Sequence, residues 1–221
     1  MGDPIDAIYG LEANGLFDSE EEIENHASQF GDVAPGDIRY VDQNGDGTIN
    51  EDDRTVIGDP FPSVSYGLNL SASYKGFDAR VFLQGVQNRD VLLQGDAAYA
   101  FSNGGKIREW QAESFWTPEN PDDDFPRLTA TTSHNNFRAS DYWVYDGSYV
   151  RLRNVEFGYT LPDGLSDALY TENVRIYVLG QNLGTFFDNM PPGVDPNVPN
   201  STTGVFFPVN KLYQAGINIT L

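Results

Sequence analysis

An all-β chain of antiparallel strands, about six in number, follows from three features of the sequence. Apolar residues recur at every second position over long stretches, as they do in strands whose two faces meet different surroundings. The connections alternate in length: long at about 16 to 62, two residues at 75 and 76, long at about 87 to 146, medium at 162 to 173, long at 184 to 209. The polar faces carry Ser, Gly, Asn and Thr where a solvated sheet would carry Lys, Glu and Arg, as in a polar lumen. Together these predict strands of a transmembrane outer-membrane β-barrel, which has short periplasmic turns and long extracellular loops. With Leu221 at the periplasmic edge, the loop 16–62 is expected to be extracellular.

The elements follow in chain order. A weak alternation covers about 5 to 15 and is taken as the first strand. In "SEEEIENHA", Ser19 is a natural N-cap with Glu22 at the capping-box position, so a short helix near 20 to 28 is expected. "VSYGLNLSASY" then sets Tyr66, Leu68, Leu70, Ala72 and Tyr74 against Ser65, Gly67, Asn69, Ser71 and Ser73. After Lys75-Gly76 the same grammar resumes with Phe77, Ala79, Val81 and Leu83, which predicts a tight hairpin over 63–74 and 77–86. Further strands are expected at 147 to 161 and 174 to 183. The last, 210 to 221, ends in "YQAGINITL", with Tyr213, Ala215, Ile217, Ile219 and Leu221 on one face. The strands at about 63 to 74, 77 to 86, 147 to 161, 174 to 183 and 210 to 221 are expected to form one antiparallel, strongly tilted sheet in sequence order.

Composition narrows the partners. Thirteen Lys+Arg against 33 Asp+Glu give a formal charge of -20, which repels nucleic acid and attracts cations. Residues 1 to 60 hold 16 of the acids and only Arg39 and Arg54 as bases. There is no cysteine, hence no disulfide framework and no thiolate metal site. Nothing approaches 18 consecutive apolar residues, and no charged n-region with an apolar run opens the chain. This leaves strand-spanning membrane proteins open, since such strands need only about 9 to 11 residues.

The most specific motif is "DQNGDGTINEDD". Asp42, Asn44 and Asp46 take positions 1, 3 and 5 of a calcium loop, Gly47 the sharp turn at 6, Thr48 the backbone carbonyl at 7, Asn50 position 9 and Asp53 position 12. Calcium takes six to eight hard oxygens, and this register supplies them from one continuous segment, with Ile49 anchoring its middle. Asp at position 12 is shorter than the usual Glu. The flanks, "GDIRYV" and "RTVIGD", are β-branched, so the loop is expected between extended segments, as a structural staple and not a helix-opening sensor. The competing reading is an Asx-rich turn that binds nothing.

Catalytic signatures are weak. His26 and His134 have no Ser or Cys neighbour in a nucleophile motif, and the run Asp122, Asp123, Asp124 reads as a solvated loop. Trp110, Phe115, Trp116, Tyr142, Trp143 and Tyr145 gather in one long connection. Trp116 and Trp143 are the candidates for stacking on a sugar or peptide, against the alternative that the rings only pack the loop.

"PGDIRYVDQNGDGTINEDDRTVIGDPFPSVSYGLNLSASYKGFDARVFLQG" closely resembles the C-terminal part of TonB-dependent outer-membrane transporters of the SusC/RagA type. "FWTPENPDDDFPRLT", "NNFRASDYWVYDGSYVRLRNVEFGYTLP", "VRIYVLGQNL" and the terminal "YQAGINITL" match in the same order. The resemblance implies a 22-stranded barrel with an N-terminal plug, a SusD-type surface lipoprotein as a lid, and import of glycans or peptides powered through TonB. Six strands of about 11 residues would account for this chain, so it is expected to be a C-terminal barrel portion without chemistry of its own. The rival readings are a soluble extracellular calcium-stabilised all-β carbohydrate-binding module and, more distantly, a glycoside hydrolase.

Overall fold

The computed structural model describes residues 2, 5–121, 123–129, 135–199 and 209–221; Asp122 and His134 lie outside the described residues. The chain runs β1 (Ile8–Gly10), β2 (Ala13–Leu16), α1 (Glu20–Glu24), β3 (Ile38–Tyr40), β4 (Thr55–Gly58), β5 (Val64–Tyr74), β6 (Phe77–Gln87) and β7 (Asp90–Leu92). It continues with α2 (Glu109–Glu113), β8 (Val144–Asp146), β9 (Tyr149–Thr160), α3 (Asp163–Ala168), β10 (Asn173–Phe186) and β11 (Leu212–Thr220). These elements form two compact units. One joins residues 1–61, 89–146 and 190–207; the other joins 62–88, 147–189 and 208–221.

The second unit is a single five-stranded antiparallel sheet, ordered β5, β6, β9, β10, β11. Sequence neighbours within this unit are therefore spatial neighbours, as the alternation of connections predicts. The β5–β6 hairpin closes in two residues, with Lys75 at φ 48° and Gly76 at φ 83°. Positive φ at both central positions is the turn whose twist matches that of the strands it joins.

Register lines up one apolar face across all five strands. Leu70 faces Val81, Val81 faces Val155, Phe157 faces Val178, and Ile176 faces both Tyr159 and Ile217. Leu70, Phe157 and Ile217 are each more than half exposed, so this band is not the core of a water-soluble domain. The polar face carries Ser71, Arg80, Glu156, Arg175 and Asn218, where Arg175 pairs with both Asp78 and Glu156. Close-packed glycines make room for long side chains here: a Cβ on Gly158 would meet the Arg175 guanidinium, and one on Gly216 the Tyr177 hydroxyl.

A bulge explains why the alternation in "SYVRLRNVEF" is imperfect. Phe82 pairs with Asn154 and Leu83 with Leu152, which leaves Arg153 as the extra residue. Its guanidinium reaches Gln84 Oε1 at 2.6 Å and Asn182 Oδ1 at 3.0 Å. The parity change puts Leu152 and Val150 on the same face as Val155 and Phe157. In β10 the matching shift between Gln181 and Gly184 carries the strand on to Phe186, three residues past its expected end.

The first unit is built from the long connections themselves. Its core holds Ile8, Leu11, Ile38, Tyr40, Ile49, Val91, Leu93, Tyr99, Trp143, Met190 and Val198, drawn from all three stretches of chain. Three short ladders, β1–β4, β2–β3 and β7–β8, tie the stretches locally. Buried polar groups tie them over distance. Asp37, fully buried, accepts from Arg127 Nε at 2.9 Å and from Asn136 Nδ2 at 2.8 Å, while Asn136 Oδ1 accepts from the Ile38 amide at 2.9 Å. Arg89 donates to the Pro60, Pro196 and Val198 carbonyls.

The weak strand expected at 5–15 is corrected here. It is not a sixth strand of the large sheet but two short strands, β1 and β2, in the first unit. Ile8, Leu11 and, just beyond, Phe17 are the buried apolar side chains here. Their spacing of three and six does not fit one alternating face. The expected helix at 20–28 is the single turn α1, with the Ser19 hydroxyl accepting from the Glu22 amide at 3.3 Å. The Glu22 carboxylate turns to the Asp18 amide and to Arg39. Charge also divides between the units: the first carries 27 Asp+Glu against seven Lys+Arg, a net of -20, and the sheet unit carries six of each.

Candidate functional site

Residues 42–53 connect β3 to β4, so the acidic loop lies between extended segments. Its side-chain oxygens hold the loop's own amides. Asp42 Oδ1 and Oδ2 accept from Gly45 N and Gly47 N, Asn44 Oδ1 from Asp46 N, and Asp46 Oδ1 from Thr48 N, each at 2.8 Å. Gly45 and Gly47 sit at φ 74° and 85°, where a side chain would be strained. Asn50 caps the single 3₁₀ turn at Glu51–Asp53, accepting from Asp52 N at 2.8 Å.

Asp53 closes the loop. Fully buried, it accepts from Gln43 N at 2.9 Å and Asn50 N at 2.8 Å, which brings position 12 against positions 2 and 9. The Asp42 carboxyl is held below the usual carboxylate range, first by the Gly47 amide and then by the Gly45 and Asp46 amides, with the Asp53 carboxyl adjoining it. The donors are hard oxygens of the kind calcium selects. Among the described residues no three acidic or imidazole side chains are gathered into a ready-made cage. The loop is fixed outward as well: Ile49 is buried, its amide donates to Ser28 O at 2.8 Å, and Ser28 N donates to Gly47 O at 3.0 Å.

A five-stranded meander with one exposed apolar face, and a separate unit made of its long loops, is the geometry in which the comparisons with known proteins are read. TonB-dependent receptor P3 of Formosa agariphila is 36% identical over 195 residues, 88% of this chain and 19% of that protein. SusC of Bacteroides thetaiotaomicron, also a TonB-dependent receptor, is 24% identical over 186 residues, 84% of this chain and 18% of its own length. The RagAB peptide transporter superposes with a TM-score of 0.67 over 96% of this chain and 22% of that one, at 20% identity.

Over most of its length the chain is a homologue of part of the TonB-dependent receptors, SusC among them.

It spans about a fifth of the length of the relatives it matches. A scan of protein-family models gives no match. The relatives of this receptor segment are named as receptors and transporters, not as enzymes.

Trp116 and Trp143, candidates for stacking on a ligand or for packing the loop, are both buried. Trp143 donates its indole N–H to Asn136 O at 3.0 Å and packs edge-on against Tyr99 and Tyr142. The ring of Trp116 lies over Gly36, where a Cβ would meet it at 2.5 Å. Neither presents a free face; they are framework of the loop unit. Sequence reasoning missed Ser28, Gln43 and Glu12 as supports of the acidic loop, where Gln43 Nε2 donates to Glu12 Oε2 at 2.7 Å. No local pattern marks contacts across such a sequence separation.

Proposed function

We propose that this segment supplies five adjacent wall strands and an extracellular loop unit to an outer-membrane importer of oligosaccharides or peptides. In this reading the importer is driven through TonB by parts of the receptor outside this chain and is lidded by a SusD-type surface lipoprotein. The observation that carries it is the apolar face running edge to edge across the sheet while remaining exposed. Outer-membrane lipid is the solvent that such a face requires, and fully burying each Leu, Ile or Phe is worth about 1.5–3 kcal/mol. A soluble carbohydrate-binding module would have to leave that face in water. Cysteines placed in the full receptor at Leu70 and Phe157 should react with a lipid-phase maleimide, and at Ser71 and Glu156 with an aqueous one. Aqueous labelling at Leu70 would overturn the reading.

Calcium at 42–53 is the second part of the proposal. The ligands would be Asp42, Asn44, Asp46, the Thr48 carbonyl, Asn50 and Asp53, and the ion would neutralise acids that otherwise repel each other. Because Ile49 and Ser28 tie the loop to the core, the ion's role is structural. Extracellular calcium near millimolar would fill even a site of roughly 10⁻⁴ M. Chelation of the purified receptor should increase proteolysis within 42–53, and Asp46→Ala should do the same with calcium present. Unchanged cleavage, with no calcium in the protein by elemental analysis, would leave the loop a turn.

A further inference from the structure

The short helix α3 joins β9 to β10 at the end of the sheet where the β5–β6 turn lies and β11 finishes: Thr160 N donates to Gly76 O and Glu172 N to Thr220 O, each at 2.8 Å. Its apolar side chains stand in the open, with Leu165 56%, Leu169 58% and Tyr170 93% exposed. We infer that α3 is an interfacial anchor, which inserts Leu165, Leu169 and Tyr170 among phospholipids at the headgroup–acyl boundary of the inner leaflet of the outer membrane. The inference rests on the wall-strand reading above.

The helix is built for an interface. At about 3.6 residues per turn, Leu165 and Leu169 fall on one face, Asp163 and Asp167 on the opposite one, and Ser166 on an edge between them. Ser166 is the buried residue of the helix, and its carbonyl accepts from Thr171 N and Thr171 Oγ1, both at 3.1 Å. A helix tied to the protein by its edge can turn one face to acyl chains and the other to water, the disposition of amphipathic helices that lie in the membrane plane. Tyr170 follows at φ 59°, the left-handed position that Gly usually takes after a helix. A bulky residue is strained there, and an almost wholly exposed ring suits the headgroup level, where the apolar body and the polar tip of Tyr both find partners.

The surroundings agree. Tyr74, Phe77 and Tyr159 lie at the same end of the sheet, the Phe77 and Tyr159 rings 4.5 Å apart and Lys75 Nζ 5.2 Å from the centre of the Tyr74 ring. Such aromatic girdles mark the interfaces of barrels. Val174 is buried, although Ile176 and Val178, next along the same apolar face, are about half exposed, and α3 packs against β10. This is the shielding expected of a helix that leans over the apolar side, so its leucines continue the exposed band of the sheet. The polar side of the sheet at this end holds the ion cluster of Asp78, Arg175 and Glu156, which offers leucine no match. Nor is the face reserved for further wall strands, which would join at the edges β5 and β11.

The test uses the full receptor in a cysteine-free background, reconstituted into vesicles of phosphatidylethanolamine and phosphatidylglycerol. Single cysteines at Leu165, Leu169, Tyr170, Asp163, Asp167 and Phe157 carry a small fluorophore, which is quenched either by phosphatidylcholine brominated near the top of its acyl chains or by aqueous iodide. Lipid quenching should be about twofold or more stronger at Leu165, Leu169 and Tyr170 than at Asp163 and Asp167, as a face lying about 5–10 Å into the boundary requires. Iodide should show the reverse order. Heat-modifiable gel mobility checks that each labelled receptor is folded, and a label at Ala168, exposed on the same side of the helix as Leu165, replaces one that fails. Iodide quenching at Leu165, Leu169 and Tyr170 equal to that at Asp163 would put the face in water and overturn the inference. Shielding of the three from both quenchers would mean cover by protein, and equal lipid quenching at Asp163 and Asp167 would mean a helix sunk in the bilayer; either result also overturns it. Phe157, on the sheet, separates the two readings: lipid quenching there with water at α3 removes the anchor alone, whereas iodide quenching at Phe157 removes the wall reading as well.

Discussion

Asp53 and Asp37 are both fully buried carboxylates in a unit that carries the chain's whole net negative charge, and each escapes isolation differently. Asp53 is satisfied by backbone amides, Asp37 by the Arg127 guanidinium together with Asn136 and the Ala34 amide at 3.0 Å. Removing one partner of such a pair strands the other. Asp37→Ala is therefore expected to lower the stability of the loop unit by about 2–4 kcal/mol, the lower end applying because Arg127 is partly exposed; thermal proteolysis of the full receptor reads this out. Asp42 gives a pH signature. Because its folded-state value is depressed, its contribution is complete above the ordinary carboxylate range, near pH 4, and is lost as pH falls through the folded value. Exchange protection of the Gly45 and Gly47 amides should hold above about pH 4 and fade below it. Protection that stays flat through acid would show that those amides do not depend on the Asp42 charge.

Among the elements, the long strands were the most legible. Period-two patterning located β5 and β6 almost to the residue, because a two-sided solvent imposes alternation at every position. The bulge at Arg153 was not legible: it is a choice of register, visible only when three strands are aligned. The short strands β1, β2, β3 and β4 obey no long pattern, since each is held by a core assembled from distant stretches. The acidic loop was readable because its spacing is local; for Trp116 and Trp143 the sequence left stacking and loop packing both open, because their burial depends on partners far along the chain. The β5–β6 hairpin yields the sharpest element-scale expectation. Gly76 sits at φ 83° and a Cβ there would meet the Thr160 carbonyl oxygen at 2.7 Å. Gly76→Val should cost about 1–3 kcal/mol and lower the temperature of the heat-modifiable transition, whereas Lys75→Asn, which tolerates positive φ, should not.

For the molecule as a whole, the two edge strands decide its behaviour outside a barrel. β5 and β11 are exposed along almost their full length and offer unpaired backbone groups beside an apolar face. The 221-residue chain expressed alone is expected to associate in detergent-free buffer, charge notwithstanding. A monodisperse monomer with a cooperative thermal transition would contradict the barrel assignment.

The composition of the loop unit carries a lesson for anyone exchanging loops between related chains. Its core is shared by three insertions that never meet in sequence, and Arg89 alone clasps carbonyls from two of them. A graft of any single loop would arrive without its complementary half, leaving an Arg127 with no Asp37 or a Trp116 with no Gly36 beneath it. Any exchange of this unit between related chains should accordingly move all three segments together.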